Sequence, residues 1–182
     1  MKAPILKGKK VILKPLEISQ AENYIRWLKD PAVNIFLAKD YRDLNLKKEK
    51  EYIKKFDKSQ TIINWAIYTK DGAHIGSTGL KEIDSKNDLK AVWGIFIGDK
   101  NYWGKGHGTD VLKTVLKYAF SKLKLNRVEL IVFPFNKRGI RCYEKCGFKI
   151  EGVKRQAVRK NGKFFDDVIM GITKSDYKKL NN

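Results

Sequence analysis

The chain has 182 residues, 42% of them hydrophobic, and a formal net charge of +19. This length and composition fit one domain with its own core. No apolar run reaches the roughly 18 residues of a membrane span. Two cysteines are too few for a disulfide framework or a zinc site. The N-terminal segment lacks the apolar stretch of a secretion signal. We therefore expect a single cytoplasmic domain over residues 1–182, with no metal and no membrane partner.

The positive charge is unevenly distributed along the chain. Residues 1–60 contain 15 basic and 8 acidic residues, residues 61–120 contain 8 and 6, and residues 121–182 contain 16 and 6. A strongly positive field attracts polyanions and repels polycations. The basic flanks therefore indicate either an RNA-rich partner such as the ribosome or simply a lysine-rich solvated surface, and charge alone leaves both interpretations open.

Hydrophobic periodicity in the first half predicts one strand, two helices and a group of antiparallel hairpins. The predicted elements are a strand at 11–13, a helix running from a Ser19/Glu22 capping box to about residue 30, a helix after Asn45, and strands at 61–69, 74–83 and 90–98. Asp71-Gly72 is predicted to form the turn of the first hairpin.

The second half begins with a glycine-rich loop and an amphipathic helix. The apolar positions of this helix repeat at helical spacing, which predicts one buried face: Val111, Leu112, Val115, Leu116, Ala119 and Phe120. A strand at 127–133, a short helix at 136–145 that ends at Gly147, and strands at 148–152 and 167–172 follow, with Asn161-Gly162 as a tight turn. This order predicts an α+β fold with mixed strand pairing.

The glycine-rich loop, residues 104–109, is the first candidate functional element. Glycines at alternate positions between a strand and a helix allow backbone amides to point into one cavity, and the helix N-terminus adds free N–H groups, which together favour phosphate binding. No Lys-Ser/Thr pair follows the last glycine, so the loop is not a Walker motif, and its spacing departs from the dinucleotide fingerprint. A simple sharp turn is the alternative interpretation.

The segment from Asn136 to Phe148 is the second candidate. Asn136, Gly139 or Ile140, and Tyr143 are three, four and seven residues apart, so they share one helix face. An amide, a small residue and a phenol on one face suit the binding of an extended polar chain beside a reactive atom. Alternatively, Asn136 caps the helix and Tyr143 packs in the core.

Together these elements resemble the GCN5-related N-acetyltransferase (GNAT) family, and within it the branch of ribosomal-protein-alanine and spermidine N-acetyltransferases. The stretches that carry the resemblance are 28–34, 94–98 with 102–109, 136–148 and 162–170. The resemblance implies a single N-acetyltransferase domain with a central, mixed, mostly antiparallel and splayed sheet flanked by helices. It also implies acetyl-CoA as cosubstrate and direct attack of an amine on the acetyl group, with Cys142 and Cys146 as core residues rather than nucleophiles.

The resemblance further implies a set of site residues. Tyr143 would be catalytic at the thioester sulfur, and the residues that would bind the cofactor are Phe96, Ile97, Lys105, Gly106, His107, Gly108, Thr109, Asn136 and Tyr143. Two positions depart from the family pattern. Trp103 stands where many relatives have glutamine or arginine, and Val92 stands where relatives often have a glutamate that acts as general base. The acidic residues that remain by chain position are Glu82, Asp84, Asp88 and Asp166.

The missing glutamate favours an acceptor that loses its proton easily. The α-amine of a protein N-terminus, such as that of a ribosomal protein, has a pKa near 7.7 against about 10.4 for a lysine-like amine, and a chain of this charge repels polycations. The alternatives are a small-molecule amine (polyamine, amino sugar or antibiotic), a non-catalytic acyl-CoA-binding protein, and a basic nucleic-acid-binding module.

Overall fold

The protein is described from a computed structural model that covers residues 3–57 and 59–181. The strands are Leu6–Lys7 (β1), Val11–Pro15 (β2), Ile63–Thr69 (β3), His74–Asp84 (β4), Lys90–Ile97 (β5), Arg127–Val132 (β6), Lys149–Lys160 (β7) and Lys163–Thr173 (β8). The α-helices are Ala21–Lys29 (α1), Pro31–Asn34 (α2), Leu46–Asp57 (α3), His107–Ser121 (α4), Lys137–Glu144 (α5) and Lys174–Asn181 (α6).

All of these strands form one sheet, in the order β1-β2-β3-β4-β5-β6-β8-β7. Neighbouring strands are antiparallel except for β5 and β6, which are parallel. A parallel pair needs a long crossover connection, and α4 lies in that connection. The predicted α+β fold with a mixed, mostly antiparallel sheet is confirmed.

The sheet opens at the parallel pair. The pairing of β5 with β6 runs from Lys90 and Arg127 to Val92 and Glu129 and ends there, while β5 stays paired with β4 as far as Ile97. The far end of β5 therefore separates from β6, which leaves a gap between two strands of the same sheet. This gap confirms the expected splay.

Two hydrophobic clusters fill the space between the sheet and the helices. The larger one contains the predicted apolar face of α4, on which each residue is at most 4% exposed. The smaller one joins α1 and α3 through Tyr24, Trp27 and Ile53, with Phe96 of β5 packed against it. A Cβ atom at Gly98 would lie 2.1 Å from the Trp27 ring, so glycine is what lets α1 pack directly on the end of β5.

The start of α1 differs from the prediction. Residues Ile18–Gln20 form a 3₁₀ turn, and the Gln20 side chain accepts a hydrogen bond from the Glu17 amide at 3.0 Å. Ser19 donates to the Glu17 carboxylate instead of capping α1. The predicted Ser19/Glu22 capping box is wrong because helical geometry begins before the apolar periodicity that marked the helix.

Elements beyond the predicted ones are β1, α2 and α6. Pro31 ends α1 as predicted, but it also occupies the first position of α2, where a missing N–H group is tolerated. The Asp30 carboxylate accepts a hydrogen bond from the Ala32 amide at 2.9 Å and so caps this short helix.

The last two strands are much longer than predicted. The turn at Asn161-Gly162 is confirmed, with φ angles of 49° and 78°, the left-handed backbone that a two-residue hairpin turn favours. Most of β7 is polar and exposed, and its register shifts between Lys154 and Val158. Such a strand lacks the alternation on which the prediction depended.

Among the described residues, no helix is both long and apolar enough to cross a membrane.

Candidate active site

A cleft of about 920 Å³ lies where β5 and β6 separate. One part, which we call the glycine-loop half, is lined from β5, residues 102–109, β6 and residues 136–145. The other part, the α1–α3 half, is lined from α1, the segment 36–44, α3, and the facing residues of β3 and β4. The residues of each half come from different parts of the chain and meet only in the folded protein.

The structure brings most of the predicted site residues together. Those that line the cleft are Phe96, Ile97, Gly106, His107, Gly108, Thr109, Asn136 and Tyr143. Lys105 does not line it: the residue is exposed, and its carbonyl oxygen accepts a hydrogen bond from Lys10 Nζ at 2.9 Å. Lys105 therefore contributes to the outer side of the loop.

The glycine loop has the backbone geometry of an anion site. Gly104 and Gly106 have φ angles of 72° and 83°, a region that glycine adopts without strain. The N-terminus of α4 has no side-chain cap, and a Cβ atom added at Gly104 or Gly108 would meet nothing within 4 Å. The first amides of α4 therefore face open space in which a phosphate would fit.

The loop is held in place by residues that sequence reasoning missed as site residues. Trp103 Nε1 donates to the Ile97 carbonyl at 2.8 Å, and the Arg138 guanidinium lies 4.1 Å from the Trp103 ring centroid. Behind the loop, Asp110 accepts hydrogen bonds from the backbone amides of Lys9, Lys10 and Val11. The Trp103–Ile97 bond is local, but the contacts of Trp103 with Arg138 and of Asp110 with residues 9–11 join segments far apart in sequence, so no local spacing could have indicated them.

Two buried polar atoms in the cleft have no hydrogen-bond partner within the described part of the chain. They are His107 Nδ1, at the start of α4, and Trp93 Nε1, on β5. Leaving such an atom unsatisfied costs about 1–3 kcal/mol. The open space over the glycine loop and the uncapped start of α4 fit the diphosphate of acetyl-CoA, the ligand that the family resemblance implies.

Asn136 is the N-cap of α5. Its Oδ1 accepts a hydrogen bond from the Gly139 amide at 3.0 Å, and a Cβ atom at Gly139 would lie 2.7 Å from Asn136 Nδ2. The capping alternative raised from the sequence is therefore present, and yet Asn136 also lines the cleft. The capping bond leaves the amide NH₂ group and the second lone pair of Oδ1 for contact with a ligand.

Tyr143 belongs both to the core and to the cleft. It is 9% exposed, and its ring meets that of Trp93 edge to face at a centroid distance of 5.6 Å. Burial raises the pKa of the Tyr143 phenol; the neighbouring Cys142 adds to this increase, while Arg138 opposes it. The phenol is thus neutral at physiological pH and available as a hydrogen-bond donor.

Both cysteines pack against the larger hydrophobic cluster. Cys146 is buried within it, and Cys142 is partly buried at its edge. Cys142 Sγ lies 3.2 Å from Thr109 Oγ1, so this pair ties α5 to the first turn of α4.

The α1–α3 half is aromatic and contains a buried carboxylate. Tyr24, Tyr41 and Tyr52 line it together with Glu49, which is 5% exposed. Burial raises the pKa of the Glu49 carboxyl, and Lys39 opposes this shift. Sequence reasoning missed Glu49, because an acidic residue in the first turn of a lysine-rich helix is usually a solvated group that complements the helix dipole.

The acidic residues proposed from the sequence as bases lie outside the cleft lining. Asp84 accepts hydrogen bonds from the amides of the loop that follows it, Asp88 pairs with Lys90, and Asp166 accepts from the Gln156 amide. Glu82 is exposed. Three of these carboxylates thus serve local structure, and the fourth points to solvent.

Comparisons with known proteins agree with this geometry. Residues 10–149 match the family described as the acetyltransferase (GNAT) domain. The chain is 32% identical over 180 residues to the "Probable N-acetyltransferase YjcK" of Bacillus subtilis (strain 168), across 94% of this chain and 98% of YjcK. It is 33% identical over 107 residues, 59% of this chain and 57% of the relative, to YdaF of the same organism, provisionally named a ribosomal N-acetyltransferase.

A solved structure shares the fold. The spermidine N-acetyltransferase from Vibrio cholerae, crystallised in complex with CoA and spermine, matches with a TM-score of 0.85 and 22% identity over 93% of this chain and 98% of that chain. The family match spans most of the chain, including the glycine loop and α5, and the splayed sheet supplies the cleft that acetyl-CoA requires. The chain therefore belongs to the GNAT family of acetyl-CoA-dependent N-acetyltransferases.

Proposed function

We propose that the protein transfers the acetyl group directly to a primary amine of low pKa that enters through the α1–α3 half, and that this amine is the α-amine at the N-terminus of a polypeptide. The observation that carries the choice of amine is the lack of a carboxylate on the β5 side of the cleft. Val92 stands at the position where relatives often have the base, and the acidic residues proposed in its place line no part of the cleft.

The energetics of deprotonation support this choice. Only the neutral amine can attack a carbonyl carbon. At pH 7, removing the proton costs about 4.6 kcal/mol for an amine with a pKa near 10.4, but only about 1 kcal/mol for an α-amine near 7.7. A site without a strong base beside the reacting atoms is therefore better matched to the α-amine.

Bound acetyl-CoA supplies an activated thioester, and the chain's own residues position the reacting groups and donate a hydrogen bond to the leaving sulfur. The neutral amine attacks the acetyl carbon, the carbon–sulfur bond breaks, and the sulfur takes up the electron pair and then a proton. Tyr143, which faces the glycine-loop half from α5, is the donor we assign to that sulfur. The amine loses one proton as the amide forms, so the protons balance.

Tyr143 acts chiefly through a hydrogen bond. A phenol near pKa 10 is a weaker acid than a thiol near 8.5, so complete transfer of the phenol proton would be uphill by about 2 kcal/mol in water. Burial raises the pKa of Tyr143 further, which makes complete transfer less favourable still. A hydrogen bond that strengthens as charge develops on sulfur avoids this cost, and the final proton then comes from the new ammonium.

A polypeptide acceptor also suits the surface of the protein. The basic residues that β7 exposes include Lys154, Arg155 and Arg159, and a surface of this kind attracts an RNA-rich particle such as the ribosome. The acceptor would then be a ribosomal protein.

A small-molecule amine, such as a polyamine, is the second candidate. Its support is the α1–α3 half, where lysines and acidic residues are equally represented although the whole chain carries +19: Lys39, Lys48, Lys55 and Lys81 against Asp40, Asp43, Glu49 and Glu51. A locally balanced field repels a cationic substrate less than the rest of the surface does.

Competition between acceptors tests the proposal. Purified protein and acetyl-CoA are mixed with equal concentrations of a short peptide with a free N-terminus, spermidine, and Nα-acetyl-lysine, and the products are measured by mass spectrometry. We expect kcat/KM for the peptide to exceed that for the other two by at least about tenfold, as the cost of deprotonation requires. A preference for spermidine would establish the second candidate instead.

A further inference from the structure

The α1–α3 half contains a carboxylate that the acetyl transfer described above does not use. We propose that Glu49, together with Tyr24, Tyr41 and Tyr52, binds an ammonium group of the acceptor. This inference rests on the proposed function only in taking the acceptor to be an amine. It concerns a second ammonium of the acceptor, which stays protonated while another nitrogen reacts: a lysine side chain of a peptide, or the second nitrogen of a small diamine.

Glu49 is buried without a partner. It is 5% exposed and lines the cleft, yet within the described residues its carboxylate takes part in no hydrogen bond and no ion pair. Removing a carboxylate from most of its surrounding water without a compensating partner costs free energy. The other acidic residues of this half, Asp40, Asp43 and Glu51, are exposed, so Glu49 is the one whose burial calls for a ligand.

Capping alone does not explain this burial. Glu49 lies in the first turn of α3, where a negative charge complements the helix dipole equally well from a solvated position. Asn45 already caps this helix, because its Oδ1 accepts the amide of Lys48 at 3.0 Å. Stabilisation of the α3 N-terminus therefore does not require this carboxylate to be buried.

The tyrosines complete a site for a cation. Burial raises the pKa of all three phenols, to about 12 for Tyr41, and the negative charge of Glu49 adds to each shift, so the rings lie within electrostatic reach of the carboxylate and stay neutral. Neutral aromatic faces attract ammonium groups, and several such rings beside a carboxylate form a recognised kind of cation site.

Lys39 shows how an ammonium sits against this surface. Its Nζ lies 5.5 Å from the centroid of the Tyr52 ring, and its charge acts on Glu49 against the effect of burial. Lys39 is exposed, on the segment between α2 and α3. An acceptor ammonium at Glu49 would therefore compete with Lys39 and displace an ammonium that is only loosely held.

The binding test uses tetramethylammonium, a cation without an N–H bond that cannot be acetylated. Calorimetric titration into the CoA-saturated protein should show binding, and Glu49→Gln, which keeps the size and removes the charge, should weaken it at least tenfold. Lys39→Ala should tighten it by removing the competing ammonium. Glu22→Gln, which removes the same charge from an exposed position on α1, is the matched control and should leave the affinity unchanged.

The proposal is overturned if wild-type protein fails to bind tetramethylammonium, or if wild type and Glu49→Gln bind it with equal affinity. Far-UV circular dichroism checks that the variant is folded. If it is not, Tyr52→Leu replaces it, because Tyr52 is 40% exposed and tolerates truncation; this variant should also weaken binding, and unchanged affinity in it would equally overturn the site.

Kinetics then identify which ammonium the site receives. For wild type and Glu49→Gln, KM is measured for a lysine-containing peptide with a free N-terminus, for 1,4-diaminobutane and for acetyl-CoA. We expect at least a tenfold rise for the acceptor whose nitrogen binds at Glu49, with KM for acetyl-CoA unchanged. If the enzyme acetylates neither acceptor, the proposed function is refuted, and the tetramethylammonium titration still tests the role of Glu49. If the enzyme is active and Glu49→Gln changes the KM of neither acceptor, the proposed ammonium site is refuted.

Discussion

The two halves of the cleft are built differently. The backbone of the glycine-loop half comes largely from a few contiguous stretches, and its features are open glycines and an uncapped helix N-terminus. The α1–α3 half is assembled from side chains of separated elements, and its features are three tyrosines and the buried Glu49. A ligand bound by backbone groups requires a local sequence motif, whereas many different combinations of side chains can bind the same ligand.

This difference teaches where each kind of specificity resides. The glycine-loop half suits a ligand that the whole family shares, because amide groups and small residues recognise a phosphate in the same way in any sequence. The α1–α3 half is where one member can differ from another in its acceptor. Three substitutions probe this division: two alter the glycine-loop half, and the third alters a histidine, His74, that packs against α1.

The largest expected effect is on turnover, in Tyr143→Phe. Loss of the phenol removes the hydrogen bond to the developing thiolate and should lower kcat by roughly 10²- to 10³-fold, the range for a positioned proton donor. Affinity for acetyl-CoA should barely change, because the ring still packs against Trp93. Steady-state kinetics and calorimetry measure the two quantities.

Tyr118→Phe is the control for this variant, since Tyr118 is also an α-helical tyrosine against a tryptophan, Trp65, and lies outside the cleft lining. It should keep wild-type turnover. If Tyr143→Phe also stays within a few-fold of wild type, Tyr143 only packs in the core.

The next effect is on cofactor binding, in Gly108→Val. A Cβ atom at Gly108 meets nothing within 4 Å, so the fold accepts the side chain while the space for the phosphates is filled. Wild-type protein at acetyl-CoA concentrations of 100 times Kd should gain about 2.7 kcal/mol of stability, and the variant should lose most of that gain. Thermal denaturation with and without ligand measures it.

Gly152→Val is the matched control, because a Cβ atom there also meets nothing within 4 Å and the residue lies on β7, away from the cleft lining. Gly106 is a poorer choice, since its φ of 83° would strain any other residue. If acetyl-CoA stabilises Gly108→Val as much as it stabilises wild type, this part of the loop does not belong to the cofactor site.

The smallest expected effect is a pH dependence of stability caused by His74 on β4, whose ring contacts Tyr24 and Trp27 of α1. Burial lowers the pKa of His74 to about 4; a backbone hydrogen bond to Gly76 opposes this shift, and Arg26 adds to it. The unfolded chain has a histidine pKa near 6.5, so between pH 6.5 and about 4 it binds a proton that the folded protein does not bind. Stability should therefore fall as the pH drops from 6.5 towards 4, by about 1–2 kcal/mol at pH 5 after allowance for partial exposure.

Urea denaturation at pH 7.5 and pH 5 measures this loss in wild type and in His74→Asn. The variant lacks the titrating ring, so the difference between the two pH values should shrink by about 1 kcal/mol. An equal difference in both proteins would show that carboxylates elsewhere account for the acid sensitivity.

Most of the fold could be predicted from the sequence wherever a segment has one buried face. The apolar face of α4 and the turns at Asp71-Gly72 and Asn161-Gly162 follow from spacing and turn chemistry. The full length of β7 could not be predicted, because an exposed basic strand carries no alternation. The start of α1 was misplaced because a 3₁₀ turn precedes the periodic residues.

The sequence by itself determined most of the elements, the family, and the stretches that contribute backbone to the glycine-loop half, since these depend on patterns among residues close together in the chain. Only the tertiary structure decided which side chains meet in the cleft. It directed Lys105 outward, gave Asn136 a capping bond, and buried Glu49 among tyrosines from two helices and a loop. The physical reason is that local periodicity fixes which face of a helix turns inward, but not which distant groups it will meet there.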